Sequence, residues 1–133
     1  KPYDPEHISP ADIEALARRI ADLGAKRVVV TGIHRKGRLV NCVLDETGYH
    51  EHFEELLPFM MHGTGDLFAS VLTGGLLTGH TLHESVDSAA GYLVLTMKHS
   101  RNYPDAARRG VCFERYLHVL EGGLFRGATA LRE

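Results

Sequence analysis

Long hydrophobic runs are missing from these 133 residues. None approaches the ~20 apolar residues of a membrane span, so no membrane partner is expected. Cysteine is scarce: Cys42 and Cys112 are too few for a disulfide framework and read as free, partly buried thiols of a cytoplasmic protein. Neither sign of charge dominates, since 15 basic residues face 17 acidic ones for a net charge of −2. Nucleic acid is therefore not expected as a partner either. The start, Lys1-Pro2-Tyr3-Asp4-Pro5, lacks the pattern of a signal peptide. It also lacks an initiating Met, which reads as an internal start. Repeats and low-complexity segments are absent. What remains is ordinary globular composition, 44% apolar and 24% charged, in a chain sized for one domain with a real core.

Along the chain, Ser9-Pro10-Ala11-Asp12 has the pattern of a helix start: Ser as N-cap, Pro at the first position, an acid three residues on. Ile13, Leu16, Ala17, Ile20 and Ala21 follow at helical spacing, and Gly24 is the expected C-cap. Arg27-Val28-Val29-Val30-Thr31-Gly32 is a continuous apolar run, the pattern of a parallel-sheet strand covered on both faces. Leu39-Val40-Asn41-Cys42-Val43-Leu44, a turn at Asp45-Glu46-Thr47-Gly48 and a return over residues 49–53 predict a hairpin. From Gly63 onward the patterns are helical. Leu67, Phe68, Val71, Leu72 and Leu76 form one stripe. Thr81-Leu82-His83-Glu84 is a capping box, with Val86, Ala89, Ala90, Leu93, Val94 and Met97 behind it. Phe113, Tyr116, Leu117 and Leu120 predict a last helix, closed by Gly122-Gly123. The class is α/β, yet a strand covered on both faces needs more neighbours than this chain supplies. The layout is that of part of a larger sheet.

The most informative stretch is Gly63-Thr64-Gly65-Asp66, running directly into Leu67-Phe68-Ala69-Ser70-Val71-Leu72. A glycine turn that opens a helix presents free backbone N–H groups, which form an anion site. A carboxylate in the first turn could take a proton from a hydroxyl attacking a phosphoryl group. From spacing alone, a plain turn with Asp66 favouring the helix dipole is an equal reading.

Gly63-Thr64-Gly65-Asp66-Leu67-Phe68-Ala69 resembles the signature of the pyridoxal kinase family, in the ribokinase superfamily. Val28-Val29-Val30-Thr31-Gly32 is similar to that family's strand ending in a nucleotide-binding Thr. The helix over residues 82–99 and the segment Gly110-Val111-Cys112-Phe113-Glu114-Arg115-Tyr116-Leu117 match in position. The resemblance runs over residues 9–120. It implies the C-terminal portion of a ribokinase-like fold, a mostly parallel central sheet flanked by helices and incomplete here. Residues 1–133 would form the C-terminal half of a single kinase domain.

The resemblance implies a function: ATP-dependent phosphorylation of the 5′-hydroxyl of pyridoxal, pyridoxine or pyridoxamine, with Mg²⁺ accompanying the ATP. Asp66 would be the catalytic base. The amides of Gly63, Thr64 and Gly65 would form the anion hole. Thr31 and Gly32 would lie beside the ATP phosphates, and Leu57, Met61 and Leu95 would wall the adenine. No residue of this chain is expected to bind the metal. The substrate pocket and acidic metal-site residues of the family precede the matching part, so the isolated chain is expected to be inactive. The full-length protein is expected to be a homodimer. Asp66 with Thr64 and Leu67-Phe68 favours vitamin B6 over hydroxymethylpyrimidine, whose kinases commonly carry Cys at the position of Asp66. A hydroxymethylpyrimidine kinase and a non-catalytic nucleotide-binding module remain the alternatives.

The nine histidines offer His50 with His52 and His80 with His83 as pairs that could hold zinc. No third ligand accompanies either pair at a convincing spacing, so they read as surface residues. His62, directly before the glycine turn, is either near the nucleotide phosphates or a turn residue. Lys98, His99, Arg101, Arg108 and Arg109 read as a solvated basic face around a helix end.

Overall fold

The computed structural model describes Asp4 and residues 7–126. Apart from Asp4, the start Lys1-Pro2-Tyr3-Asp4-Pro5 lies outside the described residues. The chain groups into two compact units, Lys1–Leu56 and Leu57–Glu133.

The first unit is one helix on an antiparallel sheet. Helix α1 (Pro10–Ala21) begins at the expected capping box: the Ser9 side chain accepts from the Asp12 N–H at 3.1 Å, and Asp12 Oδ2 accepts from the Ser9 N–H. It ends at Asp22, in right-handed helical geometry, rather than at Gly24, which follows with φ 116°. Strands β1 (Val28–Arg35), β2 (Arg38–Asp45) and β3 (Gly48–Glu55) form a meander in the order β1-β2-β3. All three pair antiparallel. The α/β class holds, but Val28-Val29-Val30 does not lie in a parallel pair. The reason is the two-residue turn Lys36-Gly37, with φ 50° and 73°. Two positive-φ residues give the twist of a tight hairpin and return the chain at once as an antiparallel neighbour. Within β1 only Val28 and Ile33 are buried. At the second turn Asp45 Oδ1 accepts from the Thr47 N–H at 2.8 Å and its hydroxyl at 2.6 Å, which stabilises the reversal.

Ile13 and Ala17 of α1 pack on Val28, Ile33, Val40, Cys42 and Leu44. Leu16 and Ile20, expected on the same stripe, are exposed. Beside this core lies a polar cluster. Arg35 grips Glu51 with both terminal nitrogens, at 2.7 and 2.9 Å, and Tyr49 donates to Glu51 at 2.8 Å. The hydrogen bonds from Arg35 hold the Glu51 carboxyl below its ordinary range. Burial, with the contacts to Cys42 and Glu51, drives the Tyr49 phenol upward. A depressed carboxylate contributes stability above its unfolded pKa of about 4.3, lost as pH falls through the lower folded value. Glu51→Gln is expected to cost about 2 kcal/mol near neutrality, because it strands a largely buried guanidinium. That deficit should shrink in acid, as the wild-type carboxylate protonates; urea melts from neutral pH to pH 3 check this.

The second unit pairs α2 (Thr64–Leu77) with α3 (Leu82–Ser100). Phe68, Val71 and Gly75 are the buried residues of α2. The helices come close at Gly75, where a Cβ would stand 2.5 Å from Ser85 Oγ. Helix α3 opens at the predicted capping box: Thr81 Oγ1 accepts from the Glu84 N–H at 3.1 Å and Glu84 accepts from the Thr81 N–H at 2.9 Å. A short helix, α4 (Ala106–Arg109), follows. The predicted last helix is 3₁₀ in character over Glu114–Gly123, broken at Glu121 and Gly122. Among the described residues no helix is long and apolar enough to cross a membrane.

Candidate active site

The glycine turn is built as the spacing predicts. Gly63 sits at φ 85°, a left-handed conformation that favours glycine, and is the N-cap of α2. Among the described residues no side chain caps this end, and the first hydrogen bond of the helix runs from the Leu67 N–H to the Gly63 carbonyl at 3.0 Å. The amides of Thr64, Gly65 and Asp66 therefore precede any intrahelical acceptor. Asp66 stands in this first turn and is exposed. Four of the predicted site residues, Gly63, Thr64, Gly65 and Asp66, are thus placed together by one local motif.

A cavity of about 760 Å³ runs along α2. His62, Gly63 and Asp66 line it together with Ser70, Arg109 and Phe113. Hydroxyls of α3 hold the segment that follows α4. Ser100 Oγ accepts from the Cys112 N–H at 2.8 Å, Tyr92 donates to the Phe113 carbonyl at 2.8 Å, and Ser88 Oγ accepts from the Phe125 N–H at 2.6 Å. Burial, with the negative charge of Glu114 nearby, pushes the Tyr92 phenol up to about 12. It therefore stays a donor across the working pH range. His80 contacts the Gly122 carbonyl at 2.9 Å through Nε2.

The other predicted residues have separate settings. Thr31 and Gly32 are exposed in β1, in the first unit, where the pairing with β2 shifts register between Val30 and Ile33. Gly32 has φ 74° and donates its N–H to Asn41 Oδ1 at 3.2 Å, so a buried Asn holds the irregularity. Leu57 and Met61 are buried and Leu95 is half-buried on α3.

Two features escaped the sequence reading. Ser88, Tyr92, Thr96 and Ser100 recur every fourth residue, one polar line on a helix, and that spacing could have revealed them. Arg109 and Gly110 read only as part of a basic face and a closing segment. Gly110 packs on the carbonyl of His62: a Cβ there would lie 2.8 Å from that oxygen. The next residue, Val111, donates its N–H to the same carbonyl at 3.2 Å. No local pattern announces a contact between residues so far apart in the chain.

Comparison with known proteins gives the context of this motif. No curated protein matches the sequence significantly. Among solved structures, the chain is similar to a candidate phosphomethylpyrimidine kinase of Bacteroides thetaiotaomicron, at 26% identity and a TM-score of 0.82, over 91% of this chain and 42% of that one. A second crystal form of that protein contains pyridoxal. Pyridoxal kinase of Lactobacillus plantarum is similar at 27% identity and a TM-score of 0.73, over 83% of this chain and 41% of that one. Pyridoxal kinase of Bacillus subtilis, solved as an ADP complex, follows at 25% and 0.61, over 68% and 35%. The chain thus spans less than half the length of these proteins. Residues 4–108 match the sequence pattern of the family described as phosphomethylpyrimidine kinase. With that match across most of its length and the same fold in solved kinases, the chain belongs to the phosphomethylpyrimidine kinase family, within the ribokinase-like superfamily.

Proposed function

We propose that the full-length protein transfers the γ-phosphoryl group of ATP to the 5′-hydroxymethyl group of pyridoxal, pyridoxine or pyridoxamine. The observation that carries this reading is the uncapped start of α2: amides without intrahelical acceptors, with an exposed carboxylate in the same turn and a cavity against both. Asp66 accepts the proton of the attacking hydroxyl. The substrate oxygen forms its bond to the γ-phosphorus as the bond from that phosphorus to the bridging oxygen breaks, and ADP leaves. The amides of Gly63, Thr64 and Gly65 stabilise charge on the transferring group, where fixed donors need no reorganisation.

Thr31 and Gly32 are assigned to the ATP phosphates and Leu57, Met61 and Leu95 to the adenine. Mg²⁺ bound with the nucleotide would neutralise polyphosphate charge; no residue of this chain is assigned to it. A cytoplasmic homodimer completes the reading. The same fold in two pyridoxal kinases supports the B6 choice, as does Asp rather than Cys at position 66. The family match favours hydroxymethylpyrimidine as the second reading.

Turnover of each alcohol with ATP by the full-length protein decides between them. The expected result is faster formation of pyridoxal phosphate than of hydroxymethylpyrimidine phosphate. The reverse order would move the assignment to the second reading, and no turnover of either would leave a nucleotide-binding module.

A further inference from the structure

We propose that Arg109 supplies the cationic contact to the transferring phosphoryl group, an inference that rests on the phosphotransfer reading above. The amides at the start of α2 offer partial charges only. A phosphoryl group in flight spreads negative charge over three oxygens, and a planar guanidinium fork meets such oxygens better than any other side chain. Among the described residues that line the cavity with Gly63 and Asp66, Arg109 is the single Arg or Lys.

Its place there is fixed through the backbone. The residue after it, Gly110, packs on the His62 carbonyl, and Val111 donates to that same oxygen at 3.2 Å. His62 directly precedes Gly63. The end of α4 and the glycine turn are therefore held together at one point, with Arg109 one peptide from the clamp. Gly110 has φ 86° and ψ −166°, a conformation open essentially to glycine alone. The segment is shaped to bring residue 109 to this spot.

The side chain is available as well. Arg109 pairs with Asp105, one helical turn earlier, through Nε. Its two terminal amino groups have no partner among the described residues. The side chain is 74% exposed, so its charge is hydrated and costs little to hold ready. Asp105 steadies the stem while the end of the fork is left for a ligand. Arg108, its neighbour, carries the same charge but does not line the cavity.

Steady-state kinetics of the full-length protein test this. Arg109→Ala is expected to lower kcat on the order of 10²-fold, the scale of one lost charge-stabilising donor. Added guanidinium should restore part of that loss, and Arg109→Lys should fall between the two. Arg108→Ala should stay within about threefold of wild type, as usual for a surface change away from the chemistry. A structural role for Arg109 would give no rescue by guanidinium. Arg109→Ala at wild-type rate, or a loss that guanidinium does not touch, overturns the inference while the kinase reading stands. If wild type itself phosphorylates no alcohol, the kinase reading falls first and the inference with it. Arg109→Lys keeps the experiment decisive if the alanine variant does not fold.

Discussion

Asp66→Asn is expected to lower kcat about 10³-fold, the range typical of a lost general base. The carboxamide keeps the size and shape of the side chain, so the glycine turn and its amides stay in place. It cannot accept the proton of the attacking hydroxyl. That proton must then leave unaided, and the barrier rises. The KM for ATP should change little, because the amides of Gly63, Thr64 and Gly65 are backbone groups that the substitution does not touch. Stability should fall by less than about 1 kcal/mol, the worth of one negative charge at an exposed helix start. Rapid-quench or coupled assays of the full-length protein, with a thermal melt alongside, separate these effects. Near-wild-type phosphorylation by the variant would remove Asp66 from the role of base. A large loss of melting temperature would recast it as a structural residue of α2.

Gly110→Ala carries the second large expectation. It adds a Cβ that would stand 2.8 Å from the His62 carbonyl oxygen, at a backbone geometry of φ 86° and ψ −166°. Both penalties act at once. The conformation costs an L-residue on the order of 3 kcal/mol, and the obstacle is backbone rather than a side chain that could swing away. The segment should either lose that stability or move off His62. Movement would displace the residue next to Gly63 and shift the anion hole against its ligand. A displacement of that kind is expected to lower kcat by on the order of 10²-fold. Gly74→Ala is a matched comparison for stability: it lies within α2, and a Cβ there meets nothing within 4 Å among the described residues. It should gain roughly 0.5–1 kcal/mol, as alanine does over glycine inside a helix. Chemical denaturation of the two variants checks the contrast. If they are equally stable, the close approach at Gly110 does not govern this part of the fold.

The difference between those two glycines marks where sequence reading succeeds. Ser9 with Asp12 and Thr81 with Glu84 form their capping boxes because a cap is a matter of four neighbouring residues. The same holds for the turn at Gly63, where the glycine and the helix it opens are adjacent. The valines of β1 are a different case. An apolar run reports that a strand is wanted, but not which partner it takes. Lys36 in a left-handed conformation was not legible, because lysine carries no preference for positive φ, and that residue makes the first hairpin tight. The buried face of α2 is narrower than its apolar stripe. Leu67, Leu72 and Leu76 are not among its buried residues, since burial depends on what faces a helix and not on its own period.

The sequence alone determined the α/β class, the starts of α1, α2 and α3 and the grouping of Gly63, Thr64, Gly65 and Asp66, all of which rest on contacts within one or two turns of chain. Only the tertiary structure decided that β1 pairs antiparallel, that the hydroxyls of α3 hold the segment after α4, and that Gly110 closes on His62. Those arrangements join residues distant in the chain, and their energy comes from packing and hydrogen bonds that exist only once the chain has folded.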